Sequence, residues 1–121
     1  MNKSFRELVV WQKAMELTVA IYLLTKDYPR EELFGLTNQL RRCAVSIPSN
    51  IAEGQGRISA GEFRQFLGIA RGSVCELQTQ LELSRRLQFG GKDLIDSADA
   101  LSIEVRKMLF GMLDSLQTDH K

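Results

Sequence analysis

In three stretches of the chain, apolar residues return at alternating steps of four and three. Val10, Ala14, Leu17, Ile21, Leu24 and Tyr28 form the first stripe. Phe63, Leu67, Ala70, Val74, Leu77 and Leu81 form the second, and Leu94, Ala98, Leu101, Val105, Met108 and Met112 the third. Such steps keep side chains on one face of a 3.6-residue helix, whereas a strand would throw alternate residues to opposite faces. They are the stripes of helices packed at a shallow angle, knobs into holes. A looser fourth stretch carries Leu33, Leu36, Leu40, Ala44, Ile47 and Ile51. No segment reads as a strand.

The ends of these stretches carry helix punctuation. Ser4 with Glu7, and Ser59 with Glu62, have capping-box spacing, in which a hydroxyl accepts from an unpaired helix N–H and the carboxylate reaches back. Ile58 and Phe63 flank the second box as a hydrophobic staple would. Pro29 with Glu31 and Glu32 suits a helix start, since φ is preset and negative charge favours that end. "FGGKD" supplies a glycine stop after the third helix. Short loops make successive helices neighbours. The expected object is all-α: one up-down-up-down antiparallel four-helix bundle spanning residues 1–121.

Bulk composition bounds the rest. A chain of 121 residues with 44% hydrophobic and 26% charged residues is one ordinary globular domain. No apolar run approaches the ~20 residues that a membrane span needs. The first residues, "MNKSFREL", lack an apolar signal core, so a cytoplasmic protein is expected. Cys43 and Cys75 both read as buried thiols in a reducing compartment. Apolar residues beside the stripes (Trp11, Met15, Val19, Phe66, Ile69, Leu109, Phe110 and Leu113) exceed what one bundle core requires. They either widen that core or form a second buried surface between copies.

The segment "SIPSNIAEG", Ser46–Gly54, interrupts the second helix with a proline. Pro48 has no N–H, so the Ala44 carbonyl loses its partner and the ring crowds it, predicting a kink. Arg42, Ser46, Ser49, Asn50, Glu53 and Arg57 recur at steps of three and four. Ser46, Ser49, Asn50 and Glu53, with Ser73 and Glu76 from the third helix, read as a structural polar ladder that locks the kink. The competing reading makes the same ladder a ligand or partner surface. Glu53 and Arg57 form an i,i+4 pair in the favourable order.

Catalytic and metal signatures are absent. The single histidine, His120, lies next to the C-terminus, and no nucleophile–base–orienter set assembles around it. Neither Glu-x-x-His nor Cys-x-x-Cys occurs, nor a Walker loop, and Gly54–Gly56 is too short to cradle phosphate. Glu76 and Glu82, six apart on one helix, point in different directions. No enzyme, cofactor, metal or small-molecule substrate is expected.

Net charge is only +1, so a nucleic-acid partner would need a local patch. Arg41, Arg42, Arg57, Arg64 and Arg71 face only Glu53 and Glu62 in that stretch, an excess of three positive charges. Arg57, Arg64, Arg71 and Arg85 stand at heptad multiples, with Gln78 in the gap. Arg41, Arg42, Arg57, Arg64, Arg71 and Arg85 are thus candidates for nucleic acid, arginine being suited to bidentate phosphate contact. The alternative is ordinary salt-bridging by Glu53, Glu76 and Glu82 at helix flanks. The phenylalanines fall on apolar stripes, so stacking platforms for bases are not expected, and contact with backbone or RNA shape is.

Three stretches carry a family resemblance: "FRELVVWQKAMEL", "YPREELFGLTNQLRRCAVSIPSNIAEGQGR" and "EFRQFLGIARGSVCELQTQLELSRRL". Together they resemble the four-helix-bundle proteins encoded within intervening sequences of bacterial 23S rRNA genes. That family is in turn similar to the accessory variability proteins of diversity-generating retroelements. The resemblance covers about residues 5–90, and the fourth helix matches only in pattern. It implies a ring-like homopentamer and a role with RNA or a nucleic-acid enzyme, and it brings no catalytic residues. The leading expectation is a non-enzymatic oligomer binding RNA, or an RNA–protein complex, through an arginine-rich face. The alternative is an interaction scaffold docking a protein such as a reverse transcriptase.

Overall fold

The computed structural model describes residues 4–118, which leaves His120 outside the described residues. Four helices dominate: α1 (Val9–Thr25), α2 (Leu36–Gln55), α3 (Ala60–Leu87) and α4 (Lys92–Thr118). Short 3₁₀ turns, Phe5–Glu7 and Arg30–Glu32, precede α1 and α2, and no strand occurs among the described residues. Each helix packs on two others: α1 on α2 and α4, and α3 on α2 and α4. This is a four-helix bundle with one core.

The core follows the stripes on α1 and α3. Every residue of the α1 stripe is buried, as are Leu67, Ala70, Val74, Leu77 and Leu81. On α4 the buried line is rotated from the expected one. Leu94 is exposed, while Ile95, Ala98, Ser102, Val105, Leu109 and Leu113 are buried. Leu109 and Leu113, surplus in the sequence reading, are therefore core. The α4 sequence holds two overlapping apolar lines, and the small buried Ser102 lies on the one that packs. Leu33 is likewise exposed, because α2 begins only at Leu36.

Several ends differ from expectation. The Ser4–Glu7 capping box forms, but it closes the 3₁₀ turn rather than α1. Pro29, Glu31 and Glu32 also belong to a 3₁₀ turn region, and Glu32 reaches forward to accept from the Leu36 N–H at 3.0 Å. One carboxylate thus caps α2 from outside it. Ser59 caps α3 by accepting from the Glu62 N–H at 3.1 Å. The Glu62 carboxylate meets the Ser59 hydroxyl instead of reaching back to the backbone. Ile58 is fully exposed, so the Ile58–Phe63 staple does not form. At the end of α3 the left-handed residue is Gln88 (φ 60), with the Phe89 N–H bonded to the Ser84 carbonyl at 2.9 Å. This closes the helix in the Schellman manner without glycine. Gly90 (φ 74) serves the turn that follows, where a Cβ would sit 2.6 Å from Leu24 Cδ1.

α2 continues through Pro48. The carbonyl that the proline orphans finds its partner on another helix. The Thr18 hydroxyl on α1 lies 2.8 Å from the Ala14 carbonyl and 3.1 Å from the Ala44 carbonyl, within donating reach of both. A buried carbonyl without a donor is costly, so this contact ties the proline to the α1–α2 pairing. Cys43 is buried, but Cys75 is exposed, contrary to the expectation for both thiols.

Candidate nucleic-acid interface

The polar ladder is a helix seam only in part: of its six residues, Ser46 and Ser73 meet across α2 and α3. Ser46 Oγ donates to the Cys43 carbonyl (2.7 Å) and hydrogen-bonds Ser73 Oγ (2.7 Å). The Cys43 thiol donates to the Ser73 carbonyl at 2.9 Å. Asn50 Nδ2 donates to the Ser46 carbonyl at 2.7 Å. Burial, then the neighbouring Glu76 carboxylate, pushes the Cys43 thiol up to about 12. Such a thiol stays protonated and is a poor nucleophile. Ser49 is exposed and stands off the seam, and Glu53 turns outward to Arg57 at 2.9 Å. Ser46 and Glu76 also edge an open groove with Phe34, Asn38, Gln39 and Arg42. Arg42 and Glu76 give that groove no charge excess.

The six candidate arginines do not share one face. Arg41 is drawn to α1, donating to Thr25 Oγ1 at 2.9 Å and lying over the Tyr22 ring at 4.8 Å. Arg57 pairs with Glu53 and lies over Phe66 at 4.8 Å. The heptad row Arg64, Arg71, Gln78 and Arg85 runs along α4, and positions on α4 fall as those on α3 rise. Arg85 meets Asp96 at 2.7 Å and Asp99 at 3.7 Å. A hydrogen bond to Asp96 leads in raising the Arg85 pKa, while bonds to Lys92 and then Arg85 hold the Asp96 carboxyl below its usual range. Gln78 Nε2 donates to Ser102 Oγ at 3.0 Å. Arg71 makes no ion pair in this row. It shares a depression of ≈ 340 Å³ with Arg106, Lys107 and Phe110. Arg71 and Phe110 also line the adjoining depression, together with Arg64, Gln65, Gly68 and Asp114.

Among the described residues, Arg71, Arg106 and Lys107 make no ion pair with a carboxylate. The result is a concentrated positive surface between α3 and α4. Arg106 and Lys107 were missed from the sequence. Their signal lay in the register: once Gln78 is set opposite Ser102, "RKMLF" must fall beside Arg71. Phe110, assigned to an apolar surplus, is 59% exposed at this surface, with the Arg71 guanidinium 5.7 Å from its ring centre. The expectation that the phenylalanines all fall on buried apolar stripes therefore does not hold for Phe110, nor for Phe34, which is 90% exposed.

No group of three or more His, Cys, Asp or Glu is placed to hold a metal among the described residues. No helix among them is long and apolar enough to cross a membrane. Comparison with curated proteins gives no match. Among solved structures, the chain is similar to a protein of unknown function from the S23 ribosomal protein family of Bacteroides thetaiotaomicron. The two are 30% identical with a TM-score of 0.80, over 88% of this chain and 96% of that one. The model of the 23S rRNA-intervening sequence protein family matches residues 6–111, and with a bundle of this geometry the chain belongs to that family.

Proposed function

We propose that the protein is a non-enzymatic, cytoplasmic RNA-binding bundle that works as a ring-like homo-oligomer, pentameric by family resemblance. The observation that carries the RNA reading is the surface around Arg71, Arg106 and Lys107, with Arg64 beside it. Three cations held together without carboxylate partners repel one another, and a polyphosphate relieves that repulsion. The family's description as encoded with 23S rRNA supports RNA over other polyanions. Of the original six arginines, this reading places Arg71 at the centre and Arg64 in the adjoining depression. Arg41, Arg57 and Arg85 are occupied within the bundle. The helices run up, down, up, down, in keeping with the short connections and the cyclic packing of neighbours. A ring would repeat the positive surface around one axis. Exposed Met15, Val19, Tyr22 and Leu23 on α1 supply apolar area for contacts between copies.

The test is titration of structured RNA against the parent protein and against Arg64→Glu with Arg71→Glu. Binding should weaken steeply with salt. The double variant should lose most of its affinity and flatten the log–log salt slope by about two. Equal binding by the variant, or none by the parent at low salt, refutes the reading. Light scattering checks assembly separately, and a monomer mass at micromolar protein removes the ring.

A second reading, the protein-interaction scaffold, is favoured by a different observation. Leu8, Val9, Met108, Met112 and Leu116 line an open apolar groove at one end of the bundle. A protein such as a reverse transcriptase docking there would give weak RNA binding and recovery of one defined partner. Binding lost on Val9→Glu, but kept on reversal of Arg64 and Arg71, would select this reading.

A further inference from the structure

We infer that the α3–α4 depression takes an unpaired nucleotide of single-stranded RNA, its base stacked on Phe110 and its flanking phosphates held by Arg71, Arg106 and Lys107. This rests on the RNA-binding reading above and narrows it from general backbone contact to an unpaired strand.

Phe110 is the reason. An aromatic ring more than half exposed is exceptional on α3 and α4, where Phe63 and Phe66 are half-buried. Phe110 stands beside three cations rather than in an apolar patch. Its π-face already attracts a planar group, the Arg71 guanidinium at 5.7 Å. Every nucleobase has a face of the same kind, so stacking there tolerates any sequence. A continuous duplex hides those faces within its own stack, whereas an unpaired strand can present one to the ring.

The adjoining depression, which Phe110 and Arg71 also line, fits a close approach. Gly68 lies there one turn before Arg71 on α3, and a Cβ on it would meet nothing within 4 Å. Glycine in an exposed helix interior weakens the helix relative to alanine. At this position it leaves bare backbone on the side of the ring away from Arg106 and Lys107. The exposed Phe34 lacks this setting, since its groove balances Arg42 against Glu76, and the exposed Tyr22 carries a single guanidinium, that of Arg41, which is held by Thr25. Charge also argues against other occupants. A metal ion would be repelled, and an apolar protein helix would leave the cations without partners.

The experiment is fluorescence anisotropy with a dye-labelled oligouridine and with a duplex RNA of equal length. The parent should prefer the oligouridine. Phe110→Leu should weaken oligouridine binding about tenfold, the size of one lost base stack, with duplex binding and salt slope unchanged. Phe110→Trp should restore it. Gly68→Leu, which fills the adjoining depression against Phe110 without altering ring or charge, should also weaken the oligouridine, so misfolding of one variant does not decide the outcome. No change in Phe110→Leu, or an equal loss on both RNAs, overturns the stacking inference. In either case, loss of binding on reversing Arg64 and Arg71 leaves the RNA reading standing. Failure of the parent to bind any RNA removes both. Light scattering on Phe110→Leu should return the parent's mass. Dissociation would instead assign the ring to a contact between copies and overturn the inference.

Discussion

α3 has two neighbours and meets them in opposite ways. Against α2 the seam is closed. Gly54 brings the backbones so near that a Cβ would sit 2.7 Å from Phe66 Cβ. Cys43, Ser46 and Ser73 satisfy one another in the same seam. Against α4 the seam is closed only toward Arg85, where Asp96 and Asp99 neutralise the guanidinium. Toward Arg71 it opens into a depression to which α4 contributes Arg106, Lys107 and Phe110. Arg71 and Arg85 are the same residue type, on the same heptad row of the same helix. What separates them is the register of α4. An arginine's role in a bundle is thus set by what the neighbouring helix places opposite it.

The contrast between the closed and open seams can be broken in graded ways. The largest expected effect is chemical. Exposed Cys75 should react with a thiol reagent at least about 100-fold faster than Cys43, whose thiolate is scarce and buried. Mass spectrometry of partially labelled protein reads this, and comparable rates would mean that the α2–α3 seam opens freely. The same thiol gives a pH dependence. Its ordinary pKa is 9.0 and the folded one is about 12, so the unfolded chain loses the proton first. Stability should therefore fall as pH climbs from 9 toward 12. Buried Tyr28, also shifted upward, acts in the same direction, so Cys43→Ala should flatten only part of the slope.

Next in size is Gly54→Ala, which should destabilise the bundle by about 1–3 kcal/mol because the added methyl forces helices apart in a packed seam. Denaturant melts followed by circular dichroism would show it. Gly68→Ala on the open side should do the reverse. Its Cβ meets nothing, so the gain should be the helix-propensity difference, about 0.5–1 kcal/mol. If both changes move stability in the same direction, the distinction between the seams is wrong. The smallest effect is expected of Arg85→Ala. RNA affinity should hold, and the melting temperature should fall slightly at low salt and not at high salt, since the pair is solvent-screened. An affinity loss matching that of Arg71→Ala would make the two ends of the row equivalent.

The α1 and α3 stripes were readable because each carries one apolar line at helical steps. α4 misled because its residues support two such lines, and the choice of Ile95, Leu109 and Leu113 over Leu94 depends on α1 and α3. The starts of α1 and α2 misled for a local reason. Ser4, Pro29 and Glu32 signal the beginning of any helical turn, and a 3₁₀ turn satisfies the same donors. Of the α2–α3 ladder only the Ser46–Ser73 contact was legible from spacing: Ser49 and Glu53 stand outward, and Thr18, not the ladder, meets the Ala44 carbonyl. The basic surface was half legible: Arg64 and Arg71 stood out as a charge excess, while Arg106 and Lys107 lay in an α4 whose register was unknown.

By itself the sequence determined that the chain is helical, where its core stripes run on α1 and α3, and that Pro48 would leave the Ala44 carbonyl without its helical donor. These are properties of nearest neighbours along one helix, governed by periodicity and by the missing N–H. Only the tertiary structure decided that Thr18 on α1 would reach that carbonyl. It alone decided that Arg85 would be neutralised while Arg71 was left among cations beside an exposed Phe110. Those outcomes depend on which residues of different helices meet, and side-chain chemistry along one chain does not specify that until the helices pack.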